Sequence, residues 1–286
     1  AARTAEKNPS MLHDVAWLTH PWLCWGILPI IAANIGYWIP ALLLEALLCS
    51  RWAQSSRLIQ RGESGRHNAS QEERLTVASL KRQYSQAFWV LLGPTALLNG
   101  ALSAVIMPIL CGTPQSTLPS LGEFLLHFVL LQLIGDFGLY VGHRIQHEVP
   151  FLWRNFHALH HSFKTPTPAT TLYIDSTDAT LQAGLPIVLA AACVRPHPLT
   201  GNVYILLRIA ENVCNHSGLD DGLVDLITLK FLPGRARIMH HDLHHRFGGT
   251  QKDGANAKNY GENFYLWDWA FGTLSSFGRS ARPPSN

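Results

Sequence analysis

Residues 121–147 read LGEFLLHFVLLQLIGDFGLYVGHRIQH. From Leu121 to Val141 the run is mostly apolar, with His127 and Asp136 as polar intruders. It is long enough to cross a bilayer, which takes roughly 20 apolar residues. Directly beyond it, His143 opens a series of closely spaced histidines. A membrane span that runs straight into a ligand-rich stretch sets the expected fold class. That class is all-α: multi-pass membrane helices carrying a helical, histidine-rich di-metal domain at the cytosolic face.

Working outward, the rest of the chain supports a membrane protein. Apolar residues make up 47% and charged residues only 14%, where a soluble domain carries about a quarter charged. Earlier apolar segments run from about Trp22 to Cys49, with Pro29, Pro40 and Glu45 inside, and from about Ala87 to Cys111, with Pro94 and Pro108 inside. A fourth region is split by Arg195-Pro196-His197-Pro198 into Leu181–Val194 and Leu199–Val213. Each half is short for a span. The pair reads as a helical hairpin that enters the membrane and returns, with two buried helices of a cytosolic domain as the competing reading. The net charge of +3, with no basic stripe, gives no reason to expect a nucleic-acid partner.

Loop charges orient the chain. Arg51, Arg57, Arg61, Arg66, Arg74, Lys81 and Arg82 lie between the first two segments, whereas residues 112–120 hold no Lys or Arg. The positive-inside rule puts the first loop, and with it the end of the third segment at His143, on the cytosolic side. Residues 1–20 are mixed and polar, unlike a cleaved signal peptide, and Arg282–Asn286 carries no retention tetrapeptide. Gly62–Gln71 reads as a surface loop. The expected organisation is an N-terminal membrane region over 1–120, a catalytic domain over 121–277 and a flexible tail over 278–286. The five cysteines, Cys24, Cys49, Cys111, Cys193 and Cys214, are odd in number and widely spaced, which reads as free thiols rather than a disulfide framework.

The chemistry lies in four histidine groups: His143/His147; His157/His160/His161; His216; and His240/His241/His244/His245. Residues three and four apart share a helix face. His143 and His147 therefore point together, and His157/His160/His161 and His241/His244/His245 each form a triangular patch. Neutral imidazole is the commonest side-chain ligand of transition metals. Nine or ten such ligands exceed the three or four of a zinc site and suit two ions with about five ligands each. Imidazole alone leaves Zn, Cu, Fe and Ni open, although the lack of clustered carboxylates disfavours carboxylate di-iron bundles. His240 is out of phase with its box and reads as a neighbour of the ligands. Asn212, four residues before His216, could offer an amide oxygen. Asp136 sits two turns before His143 with Tyr140 on the same side, and could accept the second ring N–H of a liganding histidine; a hydrogen bond to another membrane helix is the alternative. The isolated His127 and His197 read as structural.

These residues resemble the fatty acid hydroxylase and sterol desaturase superfamily. The resemblance rests on Asp136-x3-Tyr140-x2-His143-Arg144-x2-His147, on Phe156-His157-x2-His160-His161-Ser162-Phe163, and on Glu211-x4-His216-Ser217-Gly218 with His240-His241-Asp242-x-His244-His245. It extends to Asn259-Tyr260-Gly261 and Trp267-Asp268-x2-Phe271-Gly272-Thr273, and so covers about residues 120–275. Within the superfamily the chain is most similar to C-4 sterol methyl oxidases. Those enzymes carry a Tyr-x-His-Pro-x-Glu element, for which this chain has Tyr173-Ile174-Asp175-Ser176-Thr177-Asp178. Asp175 and Asp178 stand in for its His and Glu and are candidates for an additional ligand or a neighbour of the ligands; the change touches the substrate assignment more than the metal site. The resemblance implies two Fe ions, O2 as co-substrate, a sterol, terpenoid or fatty acyl lipid as substrate, and an endoplasmic reticulum membrane location. It also implies electrons from NAD(P)H through cytochrome b5 or a reductase; the chain itself has no nucleotide or haem motif. Two other classes remain at this point, a zinc-dependent membrane hydrolase or isomerase and a silent metal-binding scaffold.

Overall fold

The structure is a computed structural model that describes residues 19–48, 50, 77–113, 116–163, 166–248 and 258–275. Most of the basic first loop, the Gly62–Gln71 stretch and the 278–286 tail lie outside the described residues. Within them the chain is helical with no strand, and its one bridge pairs Arg235 with Phe264. The all-α expectation holds.

Four stretches are long and apolar enough to cross a membrane: Trp22–Leu48, Ser79–Cys111, Leu121–Glu148 and Ser176–Val194. The first is helix α1, opening with a π-helical turn over Trp22–Ile27. The second bends at Gly93 into α2 (Val77–Leu92) and α3 (Pro94–Cys111), because Gly93 is extended and Pro94 occupies the first helical position, where its missing N–H costs nothing. The third is α4 (Leu121–Glu148). Ser120 caps it by accepting from the Glu123 N–H, and Glu123 lies in its first turn, the pattern of a helix start. This helix runs on past Val141, so the first histidine pair belongs to the span itself.

The split fourth region is two helices. The first, α5, covers Ser176–Val194 with a π-helical turn at Thr180–Gly184, and is longer than its apolar run suggests because it starts upstream at the Asp175 cap. It stops at Arg195, whose φ of 53° is left-handed. The second, α6 (Pro198–Asn215), restarts on Pro198 and lies along α1. At their crossing a Cβ on Gly36 would stand 2.4 Å from the Leu206 carbonyl oxygen, so only glycine permits this approach, as at many membrane helix contacts. Two apolar cores form between the helices. One joins Tyr37, Ala41 and Leu44 of α1 to Ala87, Leu91 and Val213; the other joins Trp25, Met107, Leu131, Ala190 and Tyr204. The outer faces expose Ile35, Ile39 and Leu43 of α1, Leu98 and Ile109 of α3, and Leu121 and Leu126 of α4, the residues a lipid solvent accepts. Shorter helices α7 (Gly222–Ile227), α8 (Ile238–Gly248) and α9 (Leu266–Ala270) complete the described fold.

Candidate metal centre

Nine histidines meet in one buried region. His143 and His147 come from the last turns of α4. His157 ends a π-helical turn over Trp153–His157, and His160 and His161 open a 3-10 turn. His216 caps the C-terminus of α6, and His241, His244 and His245 lie on α8. All nine are buried.

They divide into two sets. His143, His147, His157, His161 and His244 form one, His160, His216, His241 and His245 the other, with the donor atoms of each set within 4.8 Å of one another. The two triangular patches expected from sequence are therefore split. In every box the i,i+4 pair stays together, and the middle histidine of each triplet joins the other set. Adjacent helical residues diverge by about 100° around the axis, so an HxxHH box straddles two neighbouring sites.

Outer contacts fix several rings. The Nδ1–H groups of His143, His244 and His216 donate to the backbone oxygens of Tyr260, Lys258 and Asn212, each at 2.8 Å. The Nδ1–H of His157 donates to Asp178 Oδ2 at 3.0 Å, and Gln146 Nε2 holds the other oxygen of Asp178 at 2.6 Å. A carbonyl oxygen can only accept, so His143, His216 and His244 present a bare Nε2 lone pair inward. Gly248 closes the five-histidine set: a Cβ there would lie 3.2 Å from His161 Cε1 and 3.3 Å from His147 Cε1.

The donor set fits metal ions and does not fit hydrogen bonding alone. The Nε2 atoms of His216, His241 and His245 are 3.1, 3.2 and 3.1 Å apart. His216 carries its proton on Nδ1, so the other two rings supply at most two protons for three contacts. In the five-histidine set the Nε2 atoms of His147, His157, His161 and His244 follow one another at 3.0, 3.1 and 3.2 Å. His143 Nε2 has no hydrogen-bond partner among the described residues. An ion bound by imidazole at roughly 2.0–2.1 Å would separate adjacent nitrogens by about 3.0–3.4 Å. Burial pushes His160, His161, His216, His241, His244 and His245 below the usual histidine range, which keeps these rings in the neutral form that ligates.

Other candidates take different places. Asp136 does not hold a histidine: its two oxygens accept the backbone N–H groups of Asn263 and Phe264 at 3.0 and 3.2 Å. It thereby anchors the loop whose Tyr260 carbonyl orients His143. The Tyr140 hydroxyl is 3.0 Å from the Thr273 hydroxyl and accepts from Arg144. Asn212 meets His216 through its backbone oxygen, not its amide. His240 lies against Asp268 at 3.1 Å, a neighbour of the sets rather than a member. Asp175 caps α5 through the Thr177 N–H at 2.7 Å and is outside both sets. Among the two aspartates of the divergent element, only Asp178 reaches a site histidine.

Sequence reasoning quoted Asp268 only within the C-terminal signature and gave it no role at the site. Its carboxylate accepts the Tyr260 and Gly261 N–H groups, both at 2.8 Å, and the Thr273 hydroxyl at 2.7 Å. An acid embedded between Trp267 and Trp269 was the available signal.

Comparison with known proteins gives the family. The family described as fatty acid hydroxylase matches residues 128–273, a stretch that holds all nine histidines. A methylsterol monooxygenase from Arabidopsis thaliana is 33% identical over 57% of this chain and 57% of its own. A cholesterol 25-hydroxylase from Rattus norvegicus is 29% identical over 66% of this chain and 58% of its own. A very-long-chain aldehyde decarbonylase from Oryza sativa is 34% identical over 58% of this chain and 59% of its own. The chain thus spans a little over half the length of these relatives. No solved structure matches it.

Proposed function

The chain belongs to the fatty acid hydroxylase family, and from that premise we propose that it is a membrane-bound di-iron oxygenase that oxidises a C–H bond of a sterol or related lipid. The observation that carries this reading is the pair of buried, all-imidazole sets with inward lone pairs that no hydrogen-bond scheme satisfies. His143, His147, His157, His161 and His244 would hold one iron, and His160, His216, His241 and His245 the other. Iron, when bound, would supply O2-dependent oxidation of an unactivated C–H bond, the kind of chemistry a protein delegates to its cofactor.

What the chain's own residues contribute is support and exclusion. The carbonyls of Tyr260, Lys258 and Asn212 and the Asp178 carboxylate fix four imidazoles in one tautomer, which sets ring orientation and raises ligand basicity. Burial of all nine rings keeps bulk water from the centre. α4 carries the first two ligands at the end of a candidate span, so a lipid can approach without leaving the membrane.

The substrate class follows the relatives, whose names include sterol and fatty-chain enzymes alike; a fatty acyl lipid is therefore the alternative substrate. We assign catalysis to residues 121–277, with residues 1–120 as the membrane region. Electrons would arrive from NAD(P)H through cytochrome b5 or a reductase. The endoplasmic reticulum, with the centre facing the cytosol, is the expected setting.

Metal analysis of detergent-purified protein, with O2 uptake measured against a sterol and fatty-acid panel, tests the reading. Two irons per chain with lipid-stimulated uptake is the expected result. Zinc, or no uptake after iron reconstitution, would overturn it.

A further inference from the structure

Helix α7 and the turn after it, residues 222–232, lie outside the metal sets and outside the four candidate spans. Their polarity is inverted. The ionisable side chains in this stretch, Asp225 and Lys230, turn inward. Lys230 is buried and donates to Glu211 Oε1 at 3.2 Å and to the Ala236 carbonyl at 2.7 Å. Asp225 is buried and pairs with Arg237 at 2.6 Å. The large apolar side chains turn outward: Leu223, Leu226, Ile227, Leu229, Phe231 and Leu232 are all exposed, Ile227 at 73% and Phe231 at 59%. A water-facing surface keeps its lysines and acids outside, and a contiguous apolar patch of this kind marks an interaction site. The backbone is bent to the purpose. Leu229 has a φ of 56°, a conformation L-residues with a branched side chain rarely adopt. Here it sends Lys230 to Glu211 while its neighbours stay exposed.

The patch is continuous with a membrane-facing surface. Leu223, Val224 and Ile227 share an apolar cavity of about 470 Å³ with Leu44 and Leu47, which belong to the last turns of α1. On α1 itself Leu43 and Leu47 face outward. An apolar face that extends the outer wall of a span at its end suits acyl chains just below the headgroups.

We infer that residues 222–232 form an interfacial element inserted into the leaflet in which α1 ends, with lipid acyl chains as the partner. The four spans are recognisable as long apolar helices. This element is not, because its membrane character comes from where its side chains point.

The test uses the full chain in lipid nanodiscs, which leave both faces open to solvent. Cys24, Cys49, Cys111, Cys193 and Cys214 are replaced by alanine, and an environment-sensitive fluorophore is attached at Ile227→Cys, with Leu226→Cys and Phe231→Cys in parallel in case one variant misfolds. Ser116→Cys, in the loop before α4, serves as the water-exposed reference. The expected result is blue-shifted emission at the three positions, quenched by nitroxide-bearing phospholipid and protected from iodide, with the reverse at Ser116. Iodide quenching equal to that at Ser116, with none from lipid, would overturn the inference. Protection from both quenchers together with cross-linked dimers would also overturn it, in favour of a second copy as the occupant. The readout needs neither metal nor turnover, so it can fail while the di-iron reading stands.

Discussion

The two histidine sets share both HxxHH boxes but are supported unequally. In the five-histidine set, three rings are tethered through Nδ1, by the Tyr260 and Lys258 carbonyls and by Asp178. In the four-histidine set only His216 is, by the Asn212 carbonyl. The Nδ1 atoms of His160, His241 and His245 have no partner among the described residues. Outer tethers fix ring direction before an ion arrives, and losing one typically costs about 10–100-fold in metal affinity. The five-histidine set is therefore the preorganised site, and the four-histidine set depends more on the ion to order it.

The largest effect expected is from His160→Ala. It removes one of the four proposed ligands from the less supported set, so turnover should vanish and iron should fall to about half while the protein still expresses. Full activity in that variant would exclude His160 as a ligand. Next comes Asp178→Ala, which frees the Nδ1 of His157. Metal titration should show affinity at the five-histidine set falling by about 10–100-fold, with the other set unchanged; equal weakening of both would erase the distinction between them. Chelation of the wild-type protein sharpens the same contrast. Metal loss should be biphasic, with the four-histidine ion leaving first, whereas a single phase would mean the tethers do not matter. The smallest effect is expected from Asp175→Ala. Loss of the α5 cap should cost about 0.5–2 kcal/mol, read as a lower unfolding temperature, with metal content untouched. Metal loss there would return Asp175 to the site.

Legibility differed along the chain for physical reasons. The apolar runs and histidine spacings are local patterns, so three of the four candidate spans and the nine clustered histidines could be read directly, whereas the fourth, Ser176–Val194, could not, because it begins upstream of its apolar run. The extension of α4 to Glu148 left no apolar run to follow because its last turns are polar, although they remain helical and bury His143, Gln146 and His147. Asp136 was correctly singled out as an acid needing a partner, but that partner is backbone more than 120 residues away. Backbone carbonyls that tether imidazoles leave no mark in a sequence, since every residue has one.

The sequence by itself determined the helical membrane class, the nine imidazoles and the three i,i+4 pairs, because helical periodicity alone sets which side chains point together. Only the tertiary structure decided that His160 and His244 cross to the opposite sets, that Asp178 rather than Asp136 holds a clustered histidine, and that residues 222–232 hide their charges. Each of these depends on how separate elements are turned against one another. That rotation is set by packing such as the glycine-permitted crossing of α1 and α6, not by any local spacing.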